Sequence, residues 1–117
     1  MEKQDHSVLK IYASSTDRIG MKPLYEHIVS VAKEYGIAGV TVYRGIMGYG
    51  RSSKQISSSK FWELTEKLPV LIEMIDKTSE LEAFYKHIEP DLENMEKGCL
   101  VTIDPIQVKL LKQGKKK

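Results

Sequence analysis

Three glycines, Gly45, Gly48 and Gly50, stand just ahead of Arg51 and a serine-rich run in the stretch "GIMGYGRSSKQISSSKF" (45–61). Glycine permits positive φ and close backbone approach. The amides of Gly48 and Gly50 could therefore cradle a phosphate, with the guanidinium groups of Arg51 and Arg44 adding charge-assisted hydrogen bonds. Two standard phosphate motifs do not fit. No Gly-Lys-Ser/Thr precedes a helix, and the spacing is G-x-x-G-x-G after the second strand rather than G-x-G-x-x-G after the first. On pattern alone, a bulged strand end carrying a hairpin-like arm explains the glycines equally well.

Other chemistry-bearing residues are scattered. His6, His27 and His87 have no metal-like spacing with Asp, Glu or Cys, so no metal site is expected; His27 reads as a surface residue. Asp17, Glu26 and Glu34 form no evident acid–base pair, and no Ser-His-Asp constellation emerges. Cys99 is the single cysteine, which excludes an intrachain disulfide. It opens the apolar run "CLVTI" and is expected to be a buried strand residue rather than a catalytic thiol. Lys22, at a helix start, is expected to be simply exposed. Phe61 and Trp62 are expected to pack beneath the arm. Tyr12 and Tyr43 are the strand aromatics that a nucleic-acid-reading sheet would need, but burial against other subunits is the expectation, with no nucleic-acid partner.

The elements that must position these residues follow from periodicity. "SVLKIYA" (7–13) alternates apolar and polar and reads as a strand. Pro23 opens a helix with Leu24, Ile28, Val31, Ala32 and Tyr35 on one face and Gly36 as its C-terminal cap. "AGVTVYRGI" (38–46) is a second strand, rich in β-branched residues. A long loop covers 49–67, well beyond the usual connection of about 4–6 residues. "LPVLIEMI" (68–75) is a third, central strand. Ser79 and Glu82 have the spacing of a capping box ahead of a helix carrying Leu81, Phe84, Tyr85, Ile88, Leu92 and Met95. Pro90 should kink or split that helix, and Gly98 should end it. "CLVTIDPIQVKLL" (99–111) is the last strand, with Pro105 marking a bulge or an edge.

The order is β-α-β-β-α-β, which predicts an α+β, ferredoxin-like fold: a four-stranded antiparallel sheet with both helices on one face. The other face then needs a cover, and self-association supplies the simplest one. The chain of 117 residues, 41% hydrophobic and 29% charged, suits one domain, with a core over about 8–111 and a basic tail at 112–117. The net charge of +2 owes much to Lys115, Lys116 and Lys117, which read as a solvated end. No signal peptide or membrane-length apolar run appears, and the expected location is the cytoplasm.

The strings "KPLYEHIVSVAKEYGIAGVTVYRGIMGYG" and "LPVLIEMID" closely resemble the PII-like family of bacterial proteins, a domain of unknown function related to the PII nitrogen signalling proteins. The resemblance covers about 8–109. It implies a homotrimer that binds an adenine nucleotide, ATP or ADP, with or without magnesium, in clefts between subunits. It also implies a T-loop, here at about 50–67, that touches a partner protein such as a membrane transporter, a channel or a metabolic enzyme. Position by position, Thr41 and Val42 match residues beside the nucleotide. Gly48, Tyr49, Gly50 and Arg51 match the root of the T-loop. Lys97 and Gly98 fall at the phosphate loop, shortened here to "EKG". Arg44, Lys109 and Lys112 could supply further positive charge, and Glu73 could orient neighbours. Ser52 stands where PII has a magnesium-binding glutamine, so 2-oxoglutarate sensing is not expected. Neither a redox cofactor nor enzymatic turnover is expected. The alternatives are a small nucleotide-processing enzyme, which requires a titratable pair or metal ligands in the cleft, and a ligand-free oligomeric scaffold.

Overall fold

A computed structural model describes residues 5–50, 57–58 and 67–115. Alternation in the first segment builds β1 (His6–Ser14), which puts Leu9 and Ile11 on a fully buried side. A short turn leads through the two-residue pair β2 (Arg18–Ile19) and β3 (Lys22–Pro23) into α1 (Leu24–Tyr35). Pro23 is the last residue before the helix, and its fixed φ of −57° sets the entry. Leu24, Ile28 and Ala32, four apart, form the buried stripe of α1. Gly36 ends it with a left-handed φ of 99°, its N–H donating to the carbonyls of Ala32 and Lys33.

The second strand is shorter than its pattern: β4 covers Val40–Arg44. β5 (Met47–Gly48) then turns away to pair with β6 (Ser57–Ser58). β7 (Pro69–Lys77) is central, with Val70, Ile72 and Met74 buried. α2 (Thr78–Glu93) follows without a gap, and β8 (Leu100–Ile106) closes the fold. The sheet order β4-β7-β1-β8, all antiparallel, is the ferredoxin-like arrangement read from the sequence. The core lies between the sheet (Leu9, Ile11, Ile72, Met74) and the two helices (Leu24, Ile28, Ala32, Leu81, Phe84, Ile88). Tyr35 closes the helix layer, its ring 5.5 Å from that of Phe84.

Several local expectations fail for identifiable reasons. No capping box forms, because α2 begins at Thr78 with Lys77 as its cap residue and no side-chain cap bond; Thr78 instead shares a hydroxyl hydrogen bond with Ser7 on β1. Pro90 does not split α2. It lies in the last turn, and the helix stops at Glu93 with Asn94 as its cap, four residues before Gly98. β8 ends at Ile106 rather than at 111. Among the described residues it pairs only with β1, and Ile106 sits opposite His6, the first residue of β1. Pro105 is on an edge strand, as proline requires, and the register runs through it without a bulge. Cys99 is exposed, just ahead of β8, not buried within it. His27 is not free at the surface: its Nε2 lies 2.9 Å from Asp91 Oδ2, tying α1 to α2. Among the described residues no helix is long and apolar enough to cross a membrane.

Candidate functional site

At one end of the sheet the chain leaves β4 at Gly45 and crosses tightly over the start of β7. Gly45 N–H donates to Pro69 O at 2.7 Å, and a Cβ at Gly45 would lie 2.9 Å from Pro69 Cγ. Gly45 is therefore a close-approach residue, which is its structural reason for being glycine. Gly48 also leans on the Pro69 ring, at 3.4 Å from its own ideal Cβ. By contrast, a Cβ at Gly50 would meet no described atom within 4 Å.

Beyond this crossing lies a cavity of about 420 Å3. One wall is Gly48, Tyr49 and Gly50, with Lys67 to Val70 beneath. A second wall is Lys97, Gly98, Cys99 and Leu100, on the approach to β8. The end of β1 supplies the floor, from Tyr12 to Ser14, with Thr16 and Asp17 from the turn that follows. These residues are remote in sequence and meet because β1, β7 and β8 are adjacent strands. The turn is braced. Buried Asp17 accepts from Ser14 N–H through Oδ2 at 2.9 Å, and its own carbonyl accepts from Leu24 N–H at 2.7 Å. Ser15 and Leu68 exchange two hydrogen bonds, Ser15 N–H to Leu68 O and Leu68 N–H to Ser15 Oγ.

The electrostatics favour an anion over nucleophilic chemistry. Among the described residues, Lys67 and Lys97 are the cationic ones lining the cavity, beside glycines at two places. Burial first, and the Asp17 carboxylate second, hold the Cys99 thiol above its ordinary value of 9.0. Little of it is thiolate at neutral pH, the opposite of an activated cysteine. The Asp17 carboxylate is already committed to its own turn. Among the described residues no group of three or more His, Cys, Asp or Glu is placed to hold a metal ion.

The structure brings together part of the set read from the sequence. Gly48, Tyr49, Gly50, Lys97 and Gly98 line one cavity. Thr41, Val42 and Arg44 lie along β4 and do not line it. Lys109 lies beyond β8, exposed and away from the cavity wall. Arg51, Ser52, Phe61, Trp62 and most of the 50–67 loop fall outside the described residues. The sequence reading missed the floor, Tyr12 to Asp17. The polar run Ser14-Ser15-Thr16-Asp17 carried a turn signal, but only the sheet order shows that this turn faces the glycines. A second cavity of about 470 Å3, lined by Arg18, Asp91, Asn94, Glu96 and Lys97 among others, shares the Asp17 turn and carries mixed charge.

Among the described residues, nothing covers the face of the sheet away from the helices. Tyr43, Leu71, Tyr12 and Leu100 stand in register across all four strands, and Tyr43, Tyr12 and Leu100 are exposed. On the same face Tyr43 donates to Glu73 Oε1 at 3.0 Å. That hydrogen bond, and then the carboxylate charge, hold the phenol above its ordinary value of 10.0.

Comparison with known proteins adds the family. The profile of DUF190, described as "Uncharacterized ACR, COG1993", matches residues 6–108. The chain belongs to the DUF190 family. This DUF190 protein is 33% identical over 101 residues to a UPF0166 protein of Aquifex aeolicus, covering 86% of this chain and 90% of that one. A UPF0166 protein of Methanocaldococcus jannaschii is 39% identical over 69 residues, covering 59% and 62%. Among solved structures it is similar to CPII, a nitrogen regulatory PII-like protein from Thiomonas intermedia K12 bound to ADP, AMP and bicarbonate. The TM-score there is 0.65 at 16% identity, over 88% of this chain and 87% of that one. Arabidopsis thaliana PII bound to citrate gives a TM-score of 0.52 at 17% identity, over 86% and 78%. The DUF190 chain thus has the fold of PII-like nitrogen regulatory proteins.

Proposed function

We propose that this DUF190 protein is a PII-like regulatory protein that binds an adenine nucleotide and signals to a partner protein. The observation that carries the reading is the cavity that joins Gly48, Tyr49 and Gly50 to Lys97 and Gly98. Glycines and a lysine from separate elements line it together, residue types that can hold phosphate groups. Its volume is that of a small-molecule site. The adenine nucleotides recorded with the Thiomonas protein support the choice of ligand. Arg51, adjacent in sequence to Gly50, adds a further cation on this reading. Thr41, Val42, Arg44 and Lys109 are outside the cavity of one chain. They join the site across a contact between copies, which the uncovered sheet face also calls for. The loop at 50–67 is the element that meets the partner, a transporter, a channel or a metabolic enzyme in contact with the cytoplasm. The nucleotide regulates only if it binds one state of that loop better than another. Turnover is not part of the reading, since the cavity's carboxylate and thiol are both poorly placed for it.

The test is calorimetric titration with ATP, ADP, AMP and cyclic AMP, each with and without magnesium. Saturable binding near one ligand per subunit is expected. Lys97→Ala removes one charge-assisted contact, about 1.5–3 kcal/mol, and weakens binding at least tenfold. No binding by any of the four refutes the reading, and steady product release from ATP converts it to an enzyme.

A further inference from the structure

The cavity of about 470 Å3 on the other side of the Asp17 turn has no part in the nucleotide reading. Two loops form its walls. One runs from Thr16 to Gly20, through β2, and the other comprises Asp91, in the last turn of α2, and the run from Asn94 to Lys97 beyond it. Arg18 stands on the first wall, and Asp91 and Glu96 on the second. Among the described residues, neither carboxylate forms an ion pair with Arg18.

Each charge has its own anchor or none. Arg18 Nη1 donates to Met21 O at 2.8 Å, across the β2–β3 turn, which leaves the other N–H groups of the guanidinium for a ligand. Asp91 Oδ2 lies 2.9 Å from His27 Nε2, which leaves Oδ1. Among the described residues Glu96 makes no side-chain hydrogen bond or ion pair. Asp17 is only 4% exposed and lines this cavity too. Its Oδ2 accepts from Ser14 N–H, but its Oδ1 accepts no hydrogen bond among the described residues. A carboxylate oxygen without a donor in so buried a residue favours a ligand that brings one.

We propose that this cavity binds a free α-amino acid with an uncharged side chain. A simple anion would meet three carboxylates, those of Asp17, Asp91 and Glu96, and a simple cation would meet Arg18 and Lys97. A zwitterion suits both walls. Its carboxylate pairs with Arg18, whose planar fork matches it in two hydrogen bonds. Lys97, which borders both cavities, adds charge at that end. Its ammonium donates to Asp91 and Glu96. Ile19 and Met95, packed against the core, offer apolar surface for the side chain. The carboxylates already present turn away glutamate and aspartate by like-charge repulsion. The volume is that of a small-molecule site. The proposal stands independently of the nucleotide reading, because Arg18, Asp91 and Glu96 do not line the other cavity.

Calorimetric titration of the full chain with leucine, methionine, glutamine, glutamate and N-acetyl-leucine tests it. At least one of the three uncharged amino acids should bind saturably, and glutamate at least tenfold more weakly. N-acetyl-leucine, which lacks the ammonium, should not bind. Arg18→Ala and the near-isosteric Glu96→Gln should each weaken binding about tenfold, with the urea midpoint of Glu96→Gln unchanged. Binding by none of the amino acids overturns the site. So does N-acetyl-leucine or glutamate binding as tightly as the uncharged amino acids, or binding that survives both substitutions, since the ligand then sits elsewhere. Amino-acid binding without any nucleotide binding supports this site and refutes the nucleotide reading alone.

Discussion

Gly45 and Gly50 stand five residues apart in one motif, and the structure assigns them opposite reasons for being glycine. A Cβ at Gly45 would sit 2.9 Å from Pro69 Cγ, well inside the 3.5–4.0 Å of an ordinary carbon contact. Neither side can retreat freely. Gly45 is tied to Pro69 O by a 2.7 Å hydrogen bond, and neighbouring Leu68 is tied to Ser15. Gly45→Ala should therefore cost about 1–3 kcal/mol, the range for overpacking a well-filled site. With a urea slope of about 2 kcal/mol/M, the unfolding midpoint falls by roughly 0.5–1.5 M. Gly50→Ala meets no described atom, so its midpoint should stay within about 0.5 M of wild type. Its effect should appear instead in nucleotide titration, because a methyl group on the cavity wall keeps a phosphate from the backbone. Urea unfolding at one fixed protein concentration removes the contribution of association. The reasoning is refuted if Gly45→Ala unfolds with wild type, or if Gly50→Ala leaves ADP binding untouched.

The shifted ionisations give two further outcomes. Alkylation of Cys99 should rise with pH through a midpoint above 9.0, and Asp17→Asn, which removes the second of its two causes, should lower that midpoint; saturating ADP should slow the reaction, since Cys99 lines the same cavity. Tyr43, whose phenol is raised in the fold, contributes stability that is present below 10.0 and lost as pH climbs through the higher folded value. The urea midpoint should therefore hold up to about pH 10 and fall as pH climbs above it. Glu73→Gln should shrink that fall and lower one tyrosine midpoint in an ultraviolet titration.

Element types and their order were legible because each carried its own period. Leu24, Ile28 and Ala32 repeat at helix spacing, and Leu9 and Ile11 alternate as a buried strand face. Boundaries were less legible, since a local pattern does not say where a partner strand ends. β8 has strand character to Leu111 but finds β1 only as far as Ile106. The same limit hid the capping. Ser79 and Glu82 have the right spacing, but β7 runs into α2 at Thr78, where the Ser7 hydroxyl serves as partner. Cys99 looked buried because its apolar neighbours are strand residues. It sits one residue outside the strand, at a cavity wall.

The site was legible to the extent that it was contiguous. Gly48, Tyr49 and Gly50 announce themselves as a cluster, and Lys97 and Gly98 as an isolated pair. What joins them is the adjacency of β1, β7 and β8, a property of sheet order rather than of any local string. Asp17 shows the difference most clearly. By itself it is one acidic residue in a polar loop. In the fold it is buried, bonded to Ser14, and close enough to Cys99 to raise its thiol. Thr41, Val42, Arg44 and Lys109 make the complementary case. None of them lines the cavity of one chain, although Arg44 pairs with Val70, which does, so the sheet order brings one of the four to the cavity's edge and leaves the others along β4 and beyond β8.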